Sequence, residues 1–424
     1  MSHTKSANLV IHAEQGRPAR LTKALGSFTD IRENFAADAK TQRLEYRHWA
    51  QALNEANVHI TVRDDEVEAA KEAYQEVAMQ LAANLFWPPE TISILPQGSA
   101  STRTLIRSPN GGEKFDIDAV CQVDISRVEA TDPMAFFESI GQALVELEAE
   151  AKRRCWCIPF PRQPFYLEFT PSVPLKTVPA QTLYAMAPRY RASRYEHTAL
   201  AVVDTPTKRW KTSNPAGISQ WVDDTAKRPL ILNVVKEAFA ADRALASVAP
   251  VPDQAVEITD TLRVAIRLFK RHRDMCVRRG IIDAGTKPIS IIIVTLLTTC
   301  YEGLADLNRS FEHPVELLAE LGAFLPHLVF TLDGKHRVDN PTVEGENFAE
   351  KWNDDQGERY RSFMTWCETL SADLKTILAL TDPQAISKRV REVFGIPAPA
   401  GGSSGLTTFQ PPAPRATPAS SGLA

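Results

Sequence analysis

Apolar positions recur with both strand and helix periods in the first half of the chain, and with the helix period alone in the second. Residues 66–86 set Val67, Ala70, Tyr74, Val77, Leu81 and Leu85 at helical spacing. They follow Asp64-Asp65, whose negative charge suits a helix N-terminus. Thr91–Leu95 reads as a short strand and Phe115–Val123 as a second, joined through a loop containing Asn110-Gly111-Gly112. Asp132-Pro133 is a helix start, and the spacing predicts a long helix to about Arg154. Phe165–Thr170 is a further strand, ended by Pro171, and His197–Val203 one more. From about Ser213 the pattern is helical. Asn214-Pro215 has the form of an N-cap followed by proline at the first helical position. Thr259–Arg279 is an amphipathic helix with Leu262, Ala265, Ile266, Phe269 and Cys276 on one stripe. Pro288–Tyr301 is apolar all round, a buried strand or a buried helix, and its length favours helix. Helices then continue to near Phe394.

Composition narrows the class. Hydrophobic residues make up 44% of the chain and charged residues 24%, the balance of a globular protein with a sizeable core. A formal net charge of −4 argues against a surface coated in nucleic acid. The start, MSHTKSANLV, lacks a charged stretch followed by an apolar one, so no signal peptide is expected. The longest apolar run, Ile289–Cys300, is too short to span a bilayer. Six cysteines without metal-type spacing, Cys155 and Cys157 among them, point to reduced thiols and a cytoplasmic protein.

One stretch, LPQGSASTRTLIRSPNGGEKFDIDAVCQVD, departs from core logic. In Phe115–Cys121 the alternation puts Phe115, Ile117, Ala119 and Cys121 on one face of a strand and Asp116 with Asp118 on the other. Their α-carbons fall about 6–7 Å apart at a rise of ~3.3 Å per residue. Two like charges held that close repel unless a cation lies between them. A hard divalent ion with oxygen ligands fits, and Mg²⁺ completes its shell with water and substrate phosphates. Gly98-Ser99 lets the backbone approach a phosphate closely. A helix starting at about Ser101 would turn its free N–H groups to the same place. Taken singly, an acidic pair on a solvent face or a Gly-Ser turn is common. Together, each beside an apolar strand, they read as nucleotidyl transfer, with two metals roughly 4 Å apart clamping the attacking hydroxyl and the α-phosphate.

The stretch resembles the bacterial cGAS/DncV-like nucleotidyltransferases of anti-phage (CBASS) systems, whose pattern is a Q-G-S turn followed by a D-I-D-x-V-C strand. WKTSNPAGISQWV (Trp210–Val222), LFKRHRDM…KPISIIIVTLL (Leu268–Leu297) and NPTVEGENFAEKW (Asn340–Trp352) match in the same order, so the resemblance spans about residues 60–395. It implies an α/β fold: a polymerase-β-like nucleotidyltransferase core with a helical C-terminal lobe forming a cleft. The expected organisation is an N-terminal helical segment over 1–60, the core over 61–212, the helical lobe over 213–394 and a tail over 395–424. That tail, rich in Pro, Gly, Ser and Ala, cannot bury a core and is expected to be disordered.

The implied activity is synthesis of a cyclic oligonucleotide from NTPs with Mg²⁺. The family's third acidic residue matches Glu168 in Tyr166-Leu167-Glu168-Phe169-Thr170-Pro171, where Asp is usual; Asp204 competes for the role. Asp116, Asp118 and Glu168 are thus the expected metal ligands and catalytic carboxylates, and Gly98, Ser99, Lys270 and Ser290 the expected triphosphate grip. The face of the 259–279 helix opposite its apolar stripe carries Arg263, Arg267, Lys270, Arg271 and Arg278. Such a face is either solvated or turned to phosphate. Asn214 is read as a cap. Trp210, Trp221 and Tyr301 are read as core and receive no catalytic role. Expected partners are NTPs, a separate effector responding to the cyclic product, and an E1/E2-like protein acting on the C-terminus at Ala424. Neither a membrane nor a nucleic-acid activator is expected. The alternatives are a nucleotidyltransferase that modifies RNA or protein and an inactive nucleotide-binding module.

Overall fold

The computed structural model describes residues 3–16, 39–88, 91–109, 113–124, 126, 132–186, 195–231 and 253–398. The turn at Asn110-Gly111-Gly112 and most of the C-terminal tail, with Ala424, lie outside them. Two hydrophobic cores organise these residues, one under a mixed sheet and one inside a helical lobe.

The sheet core begins with α3 (Asp64–Leu85), which buries Val67, Ala70, Tyr74, Val77 and Leu81 against the strands. It follows α1 (Lys5–Gly16) and α2 (Ala39–Ile60). Next come β1 (Ile92–Gln97), a single turn of helix α4 (Gly98–Ser101) and β2 (Phe115–Val123). The one-turn helix starts at Gly98, three residues earlier than expected. After α5 (Pro133–Ala143) the chain forms β3 (Glu150–Ala151), β4 (Trp156–Ile158) and β5 (Phe165–Pro174). β2 and β5 run parallel; β1 flanks β2, and β4 and then β3 flank β5, all antiparallel. After α6 (Ala180–Met186), β6 (Leu200–Asp204) and β7 (Arg209–Ser213) extend the sheet from the far end of β5.

Two expectations change here. α5 stops at Ala143 rather than near Arg154, because Glu148 takes a left-handed backbone and the chain turns back into β3 and β4. Trp156 then stacks on Phe137 of α5, where a Cβ on Gly141 would lie 2.0 Å from the indole ring. β5 does not stop at Pro171. It runs on to Pro174 and exchanges pairing with β6 from Ser172 onward.

The helical lobe consists of α7 (Pro215–Ala226), α8 (Thr261–Arg278), α9 (Ser290–Asp306), α10 (Pro314–Phe324), a small hairpin of β8 (Phe330–Leu332) and β9 (Lys335–Arg337), α11 (Glu358–Leu378) and α12 (Pro383–Phe394). The all-apolar run at 288–301 is therefore helix. The N-terminal helices join this lobe. α1 packs on α9 so closely that a Cβ on Gly303 would sit 2.5 Å from the Ser6 carbonyl, and Trp49, Leu53 and Ile60 of α2 share the core of α8 and α12. α1 and α2 and the helices of this lobe thus bury one another, although they are far apart in sequence.

Candidate active site

Period-two alternation along β2 places its apolar residues in the sheet core and turns Asp116 and Asp118 the other way, Asp116 exposed and Asp118 half-buried. Parallel pairing puts Tyr166 beside Asp116 and Glu168 beside Asp118, and antiparallel pairing puts Gln97 on Asp118's other side. Asp116, Asp118 and Glu168 line one cavity of about 490 Å³ between sheet and helical lobe. Gly98 and Ser99 form its rim. Gly98 has φ +61°, and a Cβ there would lie 2.1 Å from the Asp118 carboxylate, so only glycine lets this turn close onto the acidic strand.

The electrostatics are those of crowded like charges. Burial, then the repulsion of Asp116 and Glu168, holds the Asp118 carboxyl well above the usual range, and Lys270 offsets this only in part. Glu168 is also raised, first by burial and then by Asp116, against Lys152 and a hydrogen bond with the Cys155 side chain. Among the described residues no three such side chains already converge on a single point. The donor set is nonetheless all oxygen and self-repelling, which suits a hard divalent cation that would draw the carboxylates together.

Asp204 lies elsewhere. It is fully buried at the end of β6, where Arg153 (2.8 Å), Arg154 (3.1 Å) and Thr207 (2.8 Å) donate to its carboxylate. Burial raises its pKa, but these hydrogen bonds outweigh burial and bring it down to about 2. Its oxygens are taken up by the fold, and it does not line the cavity.

Opposite the carboxylates, Lys270 of α8 donates to Ser99 Oγ at 2.7 Å and to the Thr104 carbonyl at 2.9 Å. Burial lowers its pKa to about 8. Ser290 opens α9 and accepts from Arg273 Nη1 at 3.1 Å. Ser99, Lys270, Arg273, Lys287 and Ser290 line an adjoining recess of about 350 Å³ that also borders Asp116. Every residue expected to touch metal or phosphate therefore lies on this one pair of connected cavities. Arg273 and Lys287, which face both, were not singled out in the sequence. KRHRD offers several cations, and their spacing alone does not say which one turns to the cleft.

Of the rest of the basic face, Arg263, Arg267 and Arg271 are buried and line neither cavity, while Arg278 at the end of α8 is exposed and borders the recess. Arg263 donates to the Thr102 carbonyl (3.0 Å), Arg267 to Arg103 (3.1 Å), Arg271 to Arg107 (3.3 Å) and Arg278 to Pro109 (3.0 Å). With Lys270 on Thr104, these side chains clasp the segment that follows the Gly-Ser turn, backbone carbonyl by backbone carbonyl. This holds Ser99 against Lys270. Asn214 is a cap, accepting from Gly217 N at 3.0 Å. Trp210, Trp221 and Tyr301 are buried.

The fold is of a recognisable class: a polymerase-β-like core closed by a helical lobe. The chain has the fold of the cGAS/DncV-like nucleotidyltransferases. It is similar to the nucleotidyltransferase CdnG of Bradyrhizobium diazoefficiens, solved in complex with GTP, at TM-score 0.54 and 18% identity over 81% of this chain and 98% of that one. It is likewise similar to CdnC of E. coli MS115-1, solved with a HORMA partner, at TM-score 0.52 and 12% identity over 84% and 98%. By sequence it is 26% identical over 310 residues to a protein of Roseivirga ehrenbergii named c-di-GMP synthase, covering 70% of this chain and 71% of that protein. No family model matches the chain. No described helix is long and apolar enough to cross a membrane.

Proposed function

We propose that this chain is a Mg²⁺-dependent nucleotidyltransferase that joins NTPs into a cyclic oligonucleotide second messenger in anti-phage defence. The observation that carries this reading is the shared cleft, with Asp116, Asp118, Glu168 and the Gly98-Ser99 turn on one wall and Lys270 and Ser290 on the other. The name of the Roseivirga relative and the GTP bound to the Bradyrhizobium protein support it.

Mg²⁺, held by Asp116, Asp118 and Glu168, would supply charge neutralisation at the α-phosphate and acidify the attacking ribose hydroxyl. Lys270 and the Ser99 hydroxyl bind the β- and γ-phosphate oxygens, and Ser290, steadied by Arg273, closes the grip. Glu168 accepts the proton of the ribose hydroxyl. The ribose oxygen bonds to the α-phosphorus, the bond to the bridging α–β oxygen breaks, and pyrophosphate leaves. A second transfer in the same cleft closes the ring.

The protein would work in the cytoplasm, its product addressed to a separate effector and its C-terminus at Ala424 presented to an E1/E2-like partner. Incubation with Mg²⁺ and radiolabelled NTPs, then phosphatase, tests the activity. The expected result is a small, phosphatase-resistant product. Label appearing only on added RNA or protein would replace the reading with end modification. NTP binding without turnover would make the chain a binding module.

A further inference from the structure

The cleft has a second polar group that neither metal nor phosphate uses. Besides the carboxylates, the phosphate grip, Gln97, Thr102 and Tyr166, the polar side chains of the main cavity are Ser213, Asn214, Asn340 and Glu346, set among apolar ones such as Ile218, Val294 and Phe348. Counting hydrogen bonds separates them. Asn214 has none left: Oδ1 accepts from Gly217 N (3.0 Å) and Thr198 Oγ1 (2.8 Å), and Nδ2 donates to the carbonyls of Tyr195 (2.9 Å) and Thr342 (3.0 Å). Asn340 spends both carbonyl lone pairs on Thr342 (2.8 and 2.7 Å) and an amide hydrogen on Glu346 (2.8 Å). Glu346 differs. Its carboxylate offers about four acceptor sites. It meets Asn340, the Ser213 hydroxyl and, at a long 3.4 Å, Arg154. Its position is fixed by the Asn340 N–H bond to its own carbonyl at 2.9 Å and by the bridge between Asp339 and Asn347.

We infer that Glu346 reads the Watson–Crick edge of a guanine base in the cleft. This rests on the reading of the chain as a nucleotidyltransferase. Guanine is the common base whose edge sets two donors side by side, the ring N1–H and the exocyclic amine, and a carboxylate accepts both at once. The neighbouring O6 is an acceptor, and the Ser213 hydroxyl can rotate from Glu346 to donate to it. Adenine offers one amine beside a bare ring nitrogen, so the second carboxylate oxygen would face a lone pair. A buried polar group left unpaired is what makes such a site discriminate.

The test is Glu346→Gln in the full chain, read by GTP against ATP in two assays: equilibrium binding without turnover, and incorporation into product with Mg²⁺. Wild type should prefer GTP. Glu346→Gln should cut that preference about 5- to 140-fold, the range for one bidentate base contact, with ATP binding retained. Ser213→Ala should cut it less. Equal losses for both nucleotides would make Glu346 a structural residue and overturn the inference, as would wild-type indifference to the base. Those outcomes leave the nucleotidyltransferase reading standing if product forms. Absence of binding and product for every NTP in the wild type would end both.

Discussion

The two walls of the cleft handle charge in opposite ways. On the sheet wall, among the described residues, no cationic side chain hydrogen-bonds to Asp116, Asp118 or Glu168. Their mutual repulsion is left for a ligand to relieve. On the helix wall, α8 buries a row of arginines and spends them on backbone carbonyls, so that Lys270 and Arg273 are the cations of that helix next to Ser99 and Ser290. Asp204 belongs with the arginines: a buried carboxylate fully engaged by the fold. The difference teaches that the number of charges on an element is a poor guide to chemistry. What matters is whether the charge is already paired.

Substitutions can break this contrast. The largest effect should follow loss of an unpaired carboxylate. Asp116→Ala, Asp118→Ala or Glu168→Ala should lower product formation more than about 100-fold, since even residues behind a metal ligand cost ~10–100-fold. Asp204→Ala should behave otherwise, leaving turnover of the folded protein intact while removing about 3–5 kcal/mol in urea unfolding, the cost of breaking a buried ion pair. A folded but inactive Asp204→Ala beside an active Glu168→Ala would reverse the assignment of the third ligand.

A smaller effect separates the cations of α8. Lys270→Ala should raise KM for NTP roughly 10- to 150-fold, the loss of a charge-assisted phosphate contact worth ~1.5–3 kcal/mol. Arg267→Ala should instead lower the urea midpoint, with KM of the folded protein nearly unchanged. An Arg267→Ala variant of normal stability and poor KM would return the arginines to the phosphate.

The smallest effect is in pH. Lys270, lowered by burial to about 8, loses its proton in the free enzyme as pH rises through that value, so kcat/KM should fall above about pH 8. Bound triphosphate favours the charged form and should move the edge in kcat to higher pH. Lys270→Arg stays protonated, and an alkaline edge still near 8 in that variant would show that another group is titrating.

The sheet wall was legible in the sequence because its cause is local. Strand alternation alone turns Asp116 and Asp118 to one face, and the Gly-Ser turn precedes them by a fixed distance along the chain. The helix wall was not, because which of its cations is used up depends on carbonyls more than 150 residues away. Separation in sequence also hid Glu346, which stands out only once Asn214 is known to be spent and the Asn340 side-chain oxygen to be fully engaged. The helix expected from Asp132 to Arg154 ran too far because Gly141 and Trp156 carry their message only in contact. The packing of α1 on α9, and of α2 on α8 and α12, joins segments far apart in the chain, which no local pattern shows.

The carbonyl clasp between α8 and residues 102–109 has a consequence for how the protein comes into being. That segment is not part of a strand, and its outward carbonyls depend on side chains made much later in synthesis. A nascent sheet domain therefore emerges with its Gly-Ser turn still unanchored. The turn sets only when α8 arrives, so the lobes should melt in one transition and the sheet expressed alone should bind no nucleotide. The sheet half of the chain therefore waits for a helix that begins only at Thr261.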